Sequence, residues 1–244
     1  MGMFALLAAA ASAAALGYEE GMPNLVSPYL LEPGISEITI QHRFYGEAFD
    51  DAIDDFLGAD LGANISIGLR SFVAPGIELD LSHTRAAGEY SAGAGFNSSV
   101  SGSPVSFHVS AHWFTLEANQ EERESGFCGI ASVEAGRLGD LVAVTANAAY
   151  DSRAERLGLG FGLDAVVTEN ISLQGEYWPA RDGGDDFPAD SMDAWCFGLR
   201  ASTWGHQFGL LFGNSWLIGP RSMAAGADDD EIRMGLTIRR RLAL

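Results

Sequence analysis

Five histidines, His42, His83, His108, His112 and His206, are the first residues to test for chemistry. On a helix, His108 and His112 would reach one metal ion together. On a strand, residues i and i+4 stand roughly 13 Å apart, too far for a single ion to bridge. No metal and no cofactor is therefore expected, and the imidazoles read as polar lining. His108, Ser110 and Glu134 are a candidate nucleophile–base–orienter set for ester or lipid chemistry. Any polar interior of this composition offers such triples by chance. The run Gly158-Leu159-Gly160-Phe161-Gly162 has the glycines of a phosphate loop, but spaced by two throughout and with no helix after it. It fails as a dinucleotide motif and reads instead as a bare stripe for larger side chains to lie against. Asp185-Asp186 and Asp228-Asp229-Asp230-Glu231 lack EF-hand spacing; weak collection of divalent cations is one reading of them, and a solvated acidic rim is the plainer one.

The charged residues matter more as a set. Arg43, Arg70, Arg156, Arg200, Arg233 and Arg239 share an inward parity with Glu78, Asp80, Glu134, Asp164 and Glu176, and with His108 and His112. In a hollow interior these thirteen side chains make either a charged constriction that selects solutes or an ion-pair network that fills the space. The filled interior is the preferred reading.

The elements that position them come from an alternation of apolar with small or polar residues, the period of a strand with two unlike faces. Leu157, Leu159, Phe161, Leu163, Ala165 and Val167 stand against Arg156, Gly158, Gly160, Gly162 and Asp164. Ile65, Ile67 and Leu69 stand against Asn64, Ser66 and Arg70, and Ile77, Leu79 and Leu81 against Glu78, Asp80 and Ser82. Continued along the chain, the pattern predicts twelve strands. Tight turns at Ala74-Pro75-Gly76, Gly136 to Gly139, Thr168 to Asn170 and Trp204-Gly205 then fall at one end. The long polar stretches 46–60, 117–125, 180–191 and 215–230 fall at the other. Omitting the weakest strand, around 89–96, breaks that parity. The fold expected is all-β: a closed antiparallel transmembrane β-barrel of about 12 strands over 34–244. A water-soluble sandwich would need bulky residues on its inner face. Here the face opposite the leucines is glycine, serine and charge.

Composition agrees. The 244 residues hold 33 acids against 14 cations, all arginine, for a net charge of −19, which excludes a nucleic-acid partner. The long stretches and their edges hold 19 of the acids, among them Glu47, Asp51, Glu121, Asp182, Asp190 and Asp193. Residues 1–17, MGMFALLAAAASAAALG, read as a cleaved signal peptide with Ala-x-Ala sites, and 18–33 as a periplasmic N-terminal segment. Cys128 and Cys196 fall on strands six and ten, too far apart around the wall for a disulfide, so two free thiols facing inward are expected.

Several pieces resemble an uncharacterised family of outer-membrane β-barrels, domain of unknown function 5777. They are His42-Arg43-Phe44, Gly58-Ala59-Asp60, Asn64 to Arg70 with Gly76 to Arg85, Gly175-Glu176-Tyr177, Gly205 to Phe208 and Asn214-Ser215. Their order along 34–241 is a stronger signal than any one of them. The resemblance implies an exported all-β protein of a bacterial outer membrane, with no activity or catalytic residue to carry over. The partners expected are outer-membrane lipid and small solutes, and the role a narrow pore or small-solute binding barrel. The alternatives are a lipid-modifying or esterase-type barrel enzyme, and a non-conducting adhesive barrel with acidic outer loops.

Overall fold

The computed structural model describes residues 21–50, 52–119, 122–138, 141–180 and 192–243. The signal peptide and the rim acids Asp51, Glu121, Asp182, Asp185, Asp186 and Asp190 lie outside the described residues.

Twelve strands follow one another: β1 (Ile35–Glu47), β2 (Ala63–Ala74), β3 (Ile77–Thr84), β4 (Glu89–Ser99), β5 (Val105–Asn119) and β6 (Glu122–Leu138). Then come β7 (Val142–Asp151), β8 (Arg156–Thr168), β9 (Ile171–Trp178), β10 (Ala194–Thr203), β11 (His206–Gly213) and β12 (Arg233–Ala243). Each pairs antiparallel with its sequence neighbours, and β1 closes on β12 with Ile40 opposite Ile238. Closure leaves no unpaired edge, the condition for a sheet in hydrocarbon.

The apolar stripes point outward. Phe161, Leu163, Leu173, Phe197 and Leu199 are all exposed, whereas their neighbours Asp164, Gln174, Glu176 and Arg200 are buried. Inverted amphipathicity of this kind is stable where the surroundings are lipid rather than water. The turn between β2 and β3 needs its glycine. Gly76 has φ +77°, and a Cβ there would meet the Asn97 carbonyl oxygen at 2.7 Å.

Three sequence expectations shift. Of the stretch 117–125, residues 117–119 and 122–125 belong to strands rather than to a loop, because β5 and β6 continue as a tall hairpin in which Glu117 pairs with Arg123. At Gly136 to Gly139, where a tight turn is expected, β6 continues to Leu138 through a register fault opposite β7, and Gly139 lies outside the described residues. The third concerns the segment expected to lie outside on the periplasmic side, 18–33: its described part enters the barrel, where Met22, Leu25, Tyr29 and Leu31 are buried. Three prolines and no alternation keep this segment out of the sheet, and its apolar side chains find cover only in the lumen. One more element matters inside, the single-turn helix α1 (Pro220–Met223) in the connection between β11 and β12.

Candidate functional site

The lumen is occupied by the chain itself, and its wall holds the occupant largely by the main chain. Gln174 Nε2 donates to the Gly21 carbonyl at 2.8 Å, and the Arg239 guanidinium donates to that of Met22. Gln41 Nε2 donates to the Pro23 carbonyl at 2.6 Å. The Asn24 and Leu25 amides both donate to Glu176 Oε1, at 2.8 and 2.9 Å. Val26 donates to Asn147 Oδ1 at 2.8 Å, while its carbonyl accepts from Ser132 Oγ at 2.6 Å. Arg70 reaches the Tyr29 carbonyl at 3.3 Å.

Three side chains of the segment fit the wall. Met22 and Leu25 join Trp178, Ala194, Met223 and Ala227 in one buried cluster. The glycine stripe makes the room: a Cβ at Gly160 would fall 2.6 Å from the Trp178 ring and 2.7 Å from Leu25 Cδ2. One at Gly162 would fall 2.6 Å from Met22 Cε. Tyr29 donates its hydroxyl to Glu37 and lies under the Arg70 guanidinium, 3.9 Å from the ring centroid. Burial pushes the Tyr29 phenol up, against the pull of Arg70, so it stays a donor at neutral pH.

A second cover comes from the long connection 214–232. Arg221 on α1 pairs with Glu89 and with Asp151, the latter at 2.9 Å, and lies 4.4 Å over the Phe114 ring. Ala224 abuts Gly158, where no Cβ would fit. At the mouth, Arg233 donates to both carboxylate oxygens of Asp229, at 2.6 and 2.8 Å. That pairing holds the Asp229 carboxyl below its ordinary value, against a partial desolvation.

A cavity of about 270 Å³ remains between the segment, the wall of β1 to β6 with Arg239 of β12, and the connection that carries α1. Arg70 Nε lies 3.1 Å from Glu78 Oε2, and His108 Nδ1 lies 3.7 Å from Glu78 Oε1. Asp80 stands opposite Arg70 in the β2–β3 register. His112 Nε2 is 2.9 Å from Ser110 Oγ.

The remaining charged residues expected to face inward are distributed as follows. Arg200 pairs with Asp164 at 2.6 Å. Arg239 donates to Gln207 at 2.9 Å, and Arg43 to the His42 carbonyl at 3.0 Å. Arg156 is buried opposite Asp151, and Glu134 accepts from Thr145 at 2.8 Å.

The candidate triple is not assembled. His108 turns to its cross-strand partner Asn97 at 2.9 Å. Glu134 stands opposite Ser106, four residues from Ser110 along β5. Cys128 and Cys196 are both free and buried. Sequence reasoning missed the neutral amides Gln41, Asn147 and Gln174, although strand parity already points them inward. It also missed Trp178, Phe114, Leu116 and Ile130, which make part of the lumen apolar rather than hydrophilic.

The family model for a membrane bound beta barrel domain, domain of unknown function 5777, matches residues 141–242, from β7 to β12. The pieces around Gly175-Glu176-Tyr177, Gly205 to Phe208 and Asn214-Ser215 fall within that match. Among solved structures, the KdgM porin superposes with a TM-score of 0.57 at 10% identity, covering 84% of this chain and 98% of its own. The same porin in complex with disordered oligogalacturonate gives 0.58 at 10% identity with the same coverage. The NanC porin in a rhombohedral crystal form gives 0.56 at 6% identity, over 85% of this chain and 100% of its own. No curated protein matches the sequence. At these identities the likeness establishes a porin-like fold.

Proposed function

We propose that this chain is an outer-membrane barrel of a bacterium that serves as a narrow pore or small-solute binding barrel, closed in the conformation described. The observation that carries this is the cavity of about 270 Å³ left beside the inner segment, with Arg70, Glu78, Asp80, His108 and His112 on its wall. It lies at the small end of ligand sites and carries both signs of charge, as a site for a small polar solute would. The porin-like fold and the lipid-facing leucines support the same reading.

Single-channel recording in a planar bilayer tests it. The unsubstituted chain is expected to give rare, small steps, and a chain with a loosened inner segment more frequent ones. Silence from both, in a preparation shown to be folded, overturns the pore. The 2.9 Å Ser110–His112 pair favours one alternative, a barrel esterase. Ester-lipid turnover that Ser110→Ala abolishes would replace the pore reading with that one.

A further inference from the structure

We propose that the lumen wall is a binding site for an extended oligopeptide, with residues 21–31 as its resident ligand in cis. The inference rests on the solute-binding reading above and names the class of solute.

The wall reads a peptide as a peptide. Its side chains satisfy the carbonyls of Gly21, Met22, Pro23, Val26 and Tyr29 and the amides of Asn24, Leu25 and Val26. These groups occur in every polypeptide, so the array is indifferent to most side chains. Selectivity enters at three places: Met22 and Leu25 against Trp178 and the bare glycines, and Tyr29 under Arg70. The matching ligand, numbered from the place of Gly21, carries apolar side chains at its second and fifth positions and an aromatic ring at its ninth.

The wall is also incomplete without such a ligand. Glu176 is 4% exposed, and among the described residues its donors are the Asn24 and Leu25 amides, the Asn24 side chain and the Cys196 thiol. Three of those four belong to the segment. A buried carboxylate that loses them is left short of partners, a costly state that a second peptide relieves. The segment itself is replaceable. Among the described residues it pairs with no strand, and its backbone–backbone bond is that of Tyr29 to Ser27. Tethered at β1, it competes at an effective concentration on the order of millimolar, so a free peptide binds well only when the resident is weakened.

The test uses the full chain, folded in nanodiscs, unsubstituted and with Leu25→Ser plus Tyr29→Ser. The probe is a fluorescent synthetic peptide of residues 21–31, with a twin N-methylated at the Leu25 nitrogen. The expected result is binding at least tenfold tighter to the substituted chain, and a loss of tenfold or more with the N-methylated twin. Absence of binding to a folded substituted barrel overturns the inference, as does equal binding of both peptides. If the double variant does not fold, Tyr29→Ser alone takes its place with the same criteria. Recording on the same preparation separates the two proposals. Conduction without peptide binding overturns the peptide site and leaves the pore, while selective peptide binding to a silent barrel supports the site and overturns the pore.

Discussion

Glu176→Ala removes the acceptor on which the inner segment turns. The carboxylate takes two amides on one oxygen, at 2.8 and 2.9 Å, and the Asn24 side chain on the other at 3.1 Å. Leaving a buried donor unsatisfied costs about 1–3 kcal/mol. Water entering the vacated space recovers part of that for three neighbouring donors, which leaves a loss of about 2–4 kcal/mol for the docked segment. At 1.4 kcal/mol per factor of ten, the undocked population rises about 30-fold to 700-fold. Hydrogen exchange followed by mass spectrometry reads this directly, because amide protection in 22–29 reports local opening while β8 and β9 report the barrel. The expected result is faster exchange in 22–29 by at least 30-fold, with the strands unchanged. If that stretch exchanges at the same rate in both chains, Glu176 does not hold the segment.

Gly162→Val puts a branched side chain where Leu25 and Met22 lie, and is expected to expel the segment at an overpacking cost of about 1–3 kcal/mol while β8 stays paired, seen as more frequent channel openings. Leu163→Arg one position on faces lipid and is expected to destabilise insertion by about 2–4 kcal/mol, measured by urea unfolding from vesicles. The Asp229–Arg233 clamp gives a pH dependence. A carboxyl held below its ordinary value of 3.8 stabilises the folded connection above that pH and loses the contribution as pH falls through the depressed value. Exchange in 214–232 is thus expected to stay slow at pH 5 and to rise only below the ordinary aspartate range, and Arg233→Gln should remove the dependence.

Strand number, order and facing were legible because a barrel in lipid writes a period of two into every strand. The alternation around 157–167 fixed which residues face out, and the connections at the two ends then set the count. The inner segment was not legible, because 21–34 has no period and its apolar residues are too few to announce burial. Its partners were half legible: parity pointed Gln41, Asn147 and Gln174 inward, but an amide carries no charge pattern and says nothing of what it will bind. Charge misled at Glu134, whose role with Ser110 needed a register that pairing of β5 with β6 does not provide. The glycine stripe pointed the right way, since its bare surface accommodates Leu25, Met22 and Trp178.

The occupied lumen is tested most directly by a cross-link to a native thiol. Asn24 Nδ2 lies 3.8 Å from Cys196 Sγ, so Asn24→Cys places two sulfurs side by side in the folded barrel. Mild oxidation of the membrane-inserted protein is expected to join that position to Cys196 in nearly every molecule, leaving Cys128 free. Failure to form the link, with both thiols instead open to alkylation, would contradict the placement of 21–31 inside the barrel.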